Sequence, residues 1–150
     1  MPALDADRGP RSQPPLPSHG RLLLVNENRQ ELQEWRNTLK RAGYATVACP
    51  SYLEAAQSLA RERYDFIVVD QGGPAFPGRV VLKAVGIEGR IPVLVLARCA
   101  EMSCYLEAMQ LGALDYFETP LATPSLVELV NKYLALSEDT LSRHANSAAA

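Results

Sequence analysis

The sequence predicts an α/β fold, a five-stranded parallel sheet covered by helices on both faces. Short apolar runs such as RLLLV (Arg21 to Val25), FIVV (Phe66 to Val69) and PVLVLA (Pro92 to Ala97) end abruptly on polar or turn residues, as buried strands do. Between them apolar residues recur at helical spacing with short connections, so strand and helix alternate five times. The run ending at Val69 stops on a carboxylate, Asp70, with glycines and prolines directly after it. Open α/β sheets place their ligands at such carboxyl ends of strands. Taken alone, an Asp in this position more often just begins a turn.

Residues 1 to 20 carry Pro2, Pro10, Pro14, Pro15 and Pro17 and are expected to form a disordered arm. PPLP within it is of the kind that docks aromatic grooves, though such short matches are usually linker. The first strand, Arg21 to Val25, ends on Asn26 and Glu27. Leu32, Trp35 and Leu39 then mark a helix over Gln30 to Leu39, stopped by Gly43. Tyr44 to Ala48 is a second short strand. Ser51 with Glu54 three residues on is a capping box, and Leu53, Ala56 and Leu59 continue the face of the helix it opens. After the Asp70 strand, Val80, Val81 and Leu82 place a helix over Gly78 to Val85. Pro92 to Ala97 is apolar throughout and is expected to be buried on both faces. Met102 to Leu111 is helical and ends at Gly112. Asp115 to Glu118 is the fifth strand, and Thr123 caps a last helix with Pro124 at its first position. The expected division is an arm over 1–20, a domain over 21–136, and a helix extension with a frayed tail over 137–150.

The totals narrow the function. The chain has 150 residues, 47% of them hydrophobic, enough for one domain with a real core. A net charge of −2 advertises no nucleic-acid or membrane surface. No apolar run approaches the ~18 residues of a membrane span, and the N-terminus lacks a signal-peptide core. Cys49, Cys99 and Cys104 form no C-x-x-C pair, so a reducing cytoplasm is expected and a zinc site with His19 or His144 is not. They are expected to be ordinary buried or half-buried thiols.

Over residues 20 to 135 the chain resembles a response-regulator receiver domain. LLLVNEN resembles the family's first strand with its acidic pair, and Asp70 falls at the phosphoacceptor position. Pro74 and Gly78 match the D-x-x-x-P-x-x-x-G pattern after it. GALDYFETP matches G-A-x-D-Y-x-x-K-P up to its lysine. The resemblance implies a flavodoxin-like (βα)5 fold with strand order 2-1-3-4-5.

It also implies a phosphoryl transfer from a histidine kinase to Asp70, assisted by Mg²⁺. The family's ion-holding positions fall on Asn26, Glu27, Asp70 and the Gly72 carbonyl. Asn26 brings no charge. One unit charge near a divalent ion is worth on the order of several kcal/mol before solvent compensates, so Mg²⁺ binding is expected to be weak. The family's Thr or Ser after strand four is Ala97 here, and its lysine after strand five is Thr119. Charge-assisted contacts are worth roughly 1.5–3 kcal/mol each, against about 5.5 kcal/mol to swing a two-state equilibrium fully. Even a phosphorylated Asp70 would therefore have little grip on strands four and five. Tyr116 matches the switch aromatic, expected to pack inward beside the small Ala97. Pro120 matches the proline that follows a cis peptide in the family.

On the last helix Leu126, Val127, Leu129, Val130, Tyr133, Leu134, Leu136 and Leu141 cover about half the circumference, wider than one sheet face needs. A partner face with Val127, Leu129, Tyr133 and Leu136 is expected there, as in a homodimer. The expected function is an atypical, non-enzymatic receiver that acts by protein contact with weak or no phosphorylation of Asp70. Its partner would be a histidine kinase, a downstream regulator or a second copy. The alternative is a phosphorylatable receiver that accepts at Asp70, as the N-terminal part of a larger transcriptional regulator. A flavodoxin-like cofactor binder is disfavoured, because Asn26-Glu27-Asn28 presents a carboxylate where a phosphate cradle needs amides.

Overall fold

A computed structural model describes residues 20–86, 91–120 and 126–135. The elements are β1 (Arg21–Val25), α1 (Arg29–Arg41), β2 (Ala45–Cys49), α2 (Tyr52–Ser58), β3 (Phe66–Asp70), α3 (Arg79–Val85), β4 (Val93–Ala97), α4 (Met102–Gln110) and β5 (Asp115–Glu118). Residues 126–135 form a last helix, α5. The arm, the Thr123-Pro124 cap, Leu136 and the expected extension over 137–150 lie outside the described residues.

All five strands are parallel, in the order β2-β1-β3-β4-β5. This is the flavodoxin-like topology expected. Side chains alternate across the sheet, so each strand feeds two cores. Leu23, Val25, Ile67, Val69, Val93 and Val95 face α2, α3 and α4. Leu22, Leu24, Phe66, Val68, Leu94 and Leu96 face α1 and α5. Burial on both sides is why the three central strands read as unbroken apolar runs.

Local signals fix the helix starts. Asn28 caps α1 by accepting the Glu31 N–H at 2.9 Å, with Lys40 and Arg41 in its last turn. Ser51 caps α2 by accepting the Glu54 N–H at 3.1 Å. The buried face of α2 is Tyr52 and Ala55, with Leu59 half-buried, whereas Leu53 is 59% exposed. This corrects the predicted Leu53/Ala56/Leu59 face. Residues three apart share a face whichever set is chosen, and the large ring of Tyr52 takes the inward place. Strand β2 begins one residue later than predicted, because the Tyr44 N–H donates to the Leu39 carbonyl at 3.1 Å and so closes the end of α1, while its buried hydroxyl donates to the Asn131 side chain of α5.

The last helix differs most from expectation. Leu126, Val130, Tyr133 and Leu134 are buried in this chain's own core, and Val127 and Leu129 pack half-buried against it. The Tyr133 hydroxyl donates to Asp115 Oδ2 at 2.6 Å, and that bond, with burial, pushes the Tyr133 phenol up to about 12. Tyr133 is thus taken by the fold and is not a free partner contact. The wide stripe arises because α5 lies in a groove against β1, β3 and β4 with α1 alongside. Among the described residues no helix is long and apolar enough to cross a membrane, and no three or more His, Cys, Asp or Glu are grouped so as to hold a metal ion. Cys104 is buried, Cys49 half-buried and Cys99 exposed, the last against expectation.

Candidate functional site

The strand register brings the singled-out positions to one edge. Val25 pairs with Val69, Asp70 with Leu96, and Ala97 with Glu118. Asn26 and Glu27, Asp70 to Gly72, Ala97 and Arg98, and Thr119 therefore all leave the carboxyl end of the sheet together. An open cleft of about 310 Å³ forms there, lined among others by Asn26, Glu27, Glu31, Tyr52, Asp70 and Arg98. Neither Ala97 nor Thr119 lines it.

Asp70 is half-buried and accepts the Tyr52 hydroxyl at 3.2 Å. Gly72, at φ +87°, makes that reach feasible, since a Cβ there would stand 2.7 Å from the Tyr52 oxygen and 2.5 Å from Pro77 Cγ. Burial raises the Asp70 carboxyl above the ordinary Asp value. The Tyr52 bond opposes this, Glu31 adds to it, and the Gly72 N–H and Arg98 oppose it. The Tyr52 phenol is raised in turn, by burial first and then by Asp70. The folded state therefore holds the Asp70 proton more tightly than the unfolded chain, and stability falls as pH rises from about 3.9 through the raised folded value. Asp70→Asn is expected to melt higher than the wild type above that window and to converge with it below. The gain is under about 1 kcal/mol, since water in the open cleft screens the charge. Melting temperatures across pH check this, and a difference that does not vary with pH contradicts it.

Asn26 is 1% exposed and both ends of its amide are engaged. Its oxygen accepts the Asn28 N–H at 2.9 Å, and its NH₂ donates to Glu31 Oε1 at 3.0 Å. Arg98 Nη2 stands 3.5 Å from the same Glu31 oxygen. Glu31 thus returns to the rim the negative charge that Asn26 lacks, but turned toward Asn26 and Arg98. For a divalent ion the donors left are Glu27, Asp70 and the Gly72 carbonyl. That set fits the ion poorly: it is one carboxylate short, and one Asp70 oxygen already accepts Tyr52.

Thr119 is tied by its N–H to the Ala97 carbonyl at 2.7 Å, and its buried hydroxyl has no hydrogen-bond partner among the described residues. Beside it a second hollow, about 520 Å³, is lined by Glu31, Glu34, Arg98 and Pro120 as well. The Thr119-Pro120 peptide is cis. Tyr116 is buried and faces inward. Its hydroxyl donates to the Gln71 side chain and accepts the Glu101 N–H at 3.1 Å. Burial raises its phenol.

Four residues of this constellation escaped the sequence: Tyr52, Glu31, Arg98 and Gln71. One left a trace: Glu31 sits three residues after Asn28, the spacing of a helix start.

The geometry agrees with what this chain is similar to. The response regulator receiver domain family matches residues 22–131, and the chain belongs to that family. It is 30% identical over 98 residues to sporulation initiation phosphotransferase F of Bacillus subtilis, covering 65% of this chain and 79% of that protein. It is 29% identical over 114 residues to the response regulator protein FleR of Pseudomonas aeruginosa, covering 75% of this chain but 24% of that longer protein. Among solved structures, a CheY-like receiver domain protein from Methanospirillum hungatei superposes with a TM-score of 0.76 at 19% identity, over 82% of this chain and 99% of that one. A Burkholderia pseudomallei response regulator, solved with a phosphorylated aspartic acid, a calcium ion and citrate, gives 0.66 at 22% identity, over 85% of this chain and 74% of that one. The chain is a receiver domain of the two-component response-regulator kind.

Proposed function

We propose that this receiver signals by protein contact, in the conformation it already holds, with weak or no phosphorylation of Asp70. The observation that carries this is Tyr116, which lies inward with its hydroxyl held by the Gln71 side chain and the Glu101 N–H, contacts that need no group on Asp70. In the family that position goes with the phosphorylated state, when a Thr or Ser after strand four moves toward the phosphoryl group. Here Ala97 offers nothing to move, and Thr119 turns no hydroxyl into the Asp70 cleft.

The module is then a binding protein and not an enzyme. Its partner is a histidine kinase, a downstream regulator or a second copy of the chain. The exposed apolar residues that such contact can use are Met102, Tyr105 and Leu106 on α4. A second reading, phosphoryl acceptance at Asp70 with relaxed ion dependence, draws on Arg98. Its guanidinium lines the same cleft and supplies a charge that Thr119 does not. The two separate on Mg²⁺. Titration calorimetry is expected to register no saturable binding at millimolar Mg²⁺. A saturating isotherm that disappears in Asp70→Asn contradicts the contact reading.

A further inference from the structure

The geometry points to Gln71 as the positioning residue that holds Tyr116 inward and ties the acceptor loop to helix α4 through side-chain contacts that do not involve Asp70. This rests on the function proposed above and names the device that fixes its conformation.

Gln71 follows Asp70 directly and is 2% exposed, one of four buried polar residues among the described ones. A buried amide is tolerated only where its hydrogen bonds are made. Both ends of this one are used. Its NH₂ donates to the Gly73 carbonyl at 2.9 Å, within its own loop, and its oxygen accepts the Tyr116 hydroxyl. Its backbone is held at both ends as well. Its N–H donates to the Leu96 carbonyl at 2.7 Å, and its carbonyl accepts the Gly78 N–H at 3.1 Å.

The connection continues into α4. No side chain caps this helix at Glu101, and the Glu101 N–H donates to the Tyr116 hydroxyl. One turn on, Tyr105 sets its ring edge against Tyr116, with centroids 5.6 Å apart. Ala97 belongs to the same core cluster as Tyr116, and its small side chain leaves room for the ring. An unbroken chain thus runs from the loop behind Asp70 through Gln71 and Tyr116 to the start of α4. An apolar residue at position 71 would offer the Tyr116 hydroxyl nothing, and the inward pose would lose its anchor on the acceptor side.

The test is amide hydrogen exchange by nuclear magnetic resonance on the full chain, with neither Mg²⁺ nor a phosphodonor present. Gln71→Met keeps side-chain length and removes both polar atoms. It is expected to speed exchange at Glu101 and the first turn of α4 by about tenfold, the worth of roughly one hydrogen bond, while the β1 and β3 amides keep their rates. Tyr116→Phe keeps the ring and is expected to do the same. Tyr116→Phe also removes the acceptor of the Glu101 N–H, so the double variant is expected to match Tyr116→Phe alone, its link to Gln71 being already cut. Unchanged α4 exchange in Gln71→Met overturns the assignment, whatever Tyr116→Phe does. So does acceleration spread equally over β1 and β3, which marks general destabilisation. With no phosphodonor in the sample, the result stands apart from whether Asp70 accepts a phosphoryl group. An adduct found separately would overturn the proposed function and leave the role of Gln71 intact.

Discussion

Gly78→Ala is expected to destabilise the fold by about 3 kcal/mol or more, at the upper end of what single substitutions do. Gly78 has an ordinary helical φ of −63°, so backbone strain is not the cause. A Cβ there would stand 2.3 Å from the Asp70 carbonyl oxygen, 3.3 Å from that of Gln71 and 3.3 Å from Val69 Cγ2. The nearest of these is backbone at the end of a central strand, which no rotamer change can move. The start of α3 must therefore part from the end of β3, and the loop that carries Asp70, Gln71 and Gly72 shifts with it. Urea unfolding measures the loss. A change below about 1 kcal/mol would mean that α3 approaches β3 less closely than described.

Asn26→Asp would restore an acid where the family has one, yet it is expected to cost about 2–3 kcal/mol at neutral pH without divalent ions. The Asn26 NH₂ donates to Glu31 Oε1 at 3.0 Å, and a carboxylate in its place sets like charges against each other in a nearly buried position. Such a pair binds a proton more readily folded than unfolded, so the deficit shrinks as pH falls. Millimolar Mg²⁺ is expected to recover much of it, because a third carboxylate then joins Glu27 and Asp70. Adding Glu31→Gln should recover it without metal, by giving the new carboxylate an amide donor. Urea melts with and without Mg²⁺ check both, and an Asn26→Asp variant as stable as wild type without metal contradicts the geometry. This variant also shows why the site is not one substitution from the family pattern: its neighbours have adjusted to the amide.

Strand order, helix count and the gathering of Asn26, Asp70, Ala97 and Thr119 at one sheet edge were legible in the sequence. Apolar runs buried on both faces leave little ambiguity, and residues ending neighbouring parallel strands must converge. What each side chain touches was not legible. Nothing in Leu53, Ala56 and Leu59 distinguishes their face from that of Tyr52 and Ala55, since both have helical spacing. The breadth of the apolar stripe on α5 suggested a partner; of that stripe Leu126, Val130, Tyr133 and Leu134 are buried within the chain, with α1 alongside, while Val127 and Leu129 stay half-buried. Tyr133, its polar tip on Asp115, is part of that packing. Gln71 was hidden by its neighbour: beside a carboxylate, one more polar residue reads as loop, and only the fold shows it buried just past the end of β3.

The proposed function is tested most directly by the mass of the intact chain after incubation with acetyl phosphate or phosphoramidate and Mg²⁺, run beside Asp70→Asn. An unchanged mass in both is the result predicted for a receiver that works by contact in its resting conformation. A phosphate adduct on the wild type that requires Mg²⁺ and is missing from Asp70→Asn would contradict it and make Asp70 a working acceptor.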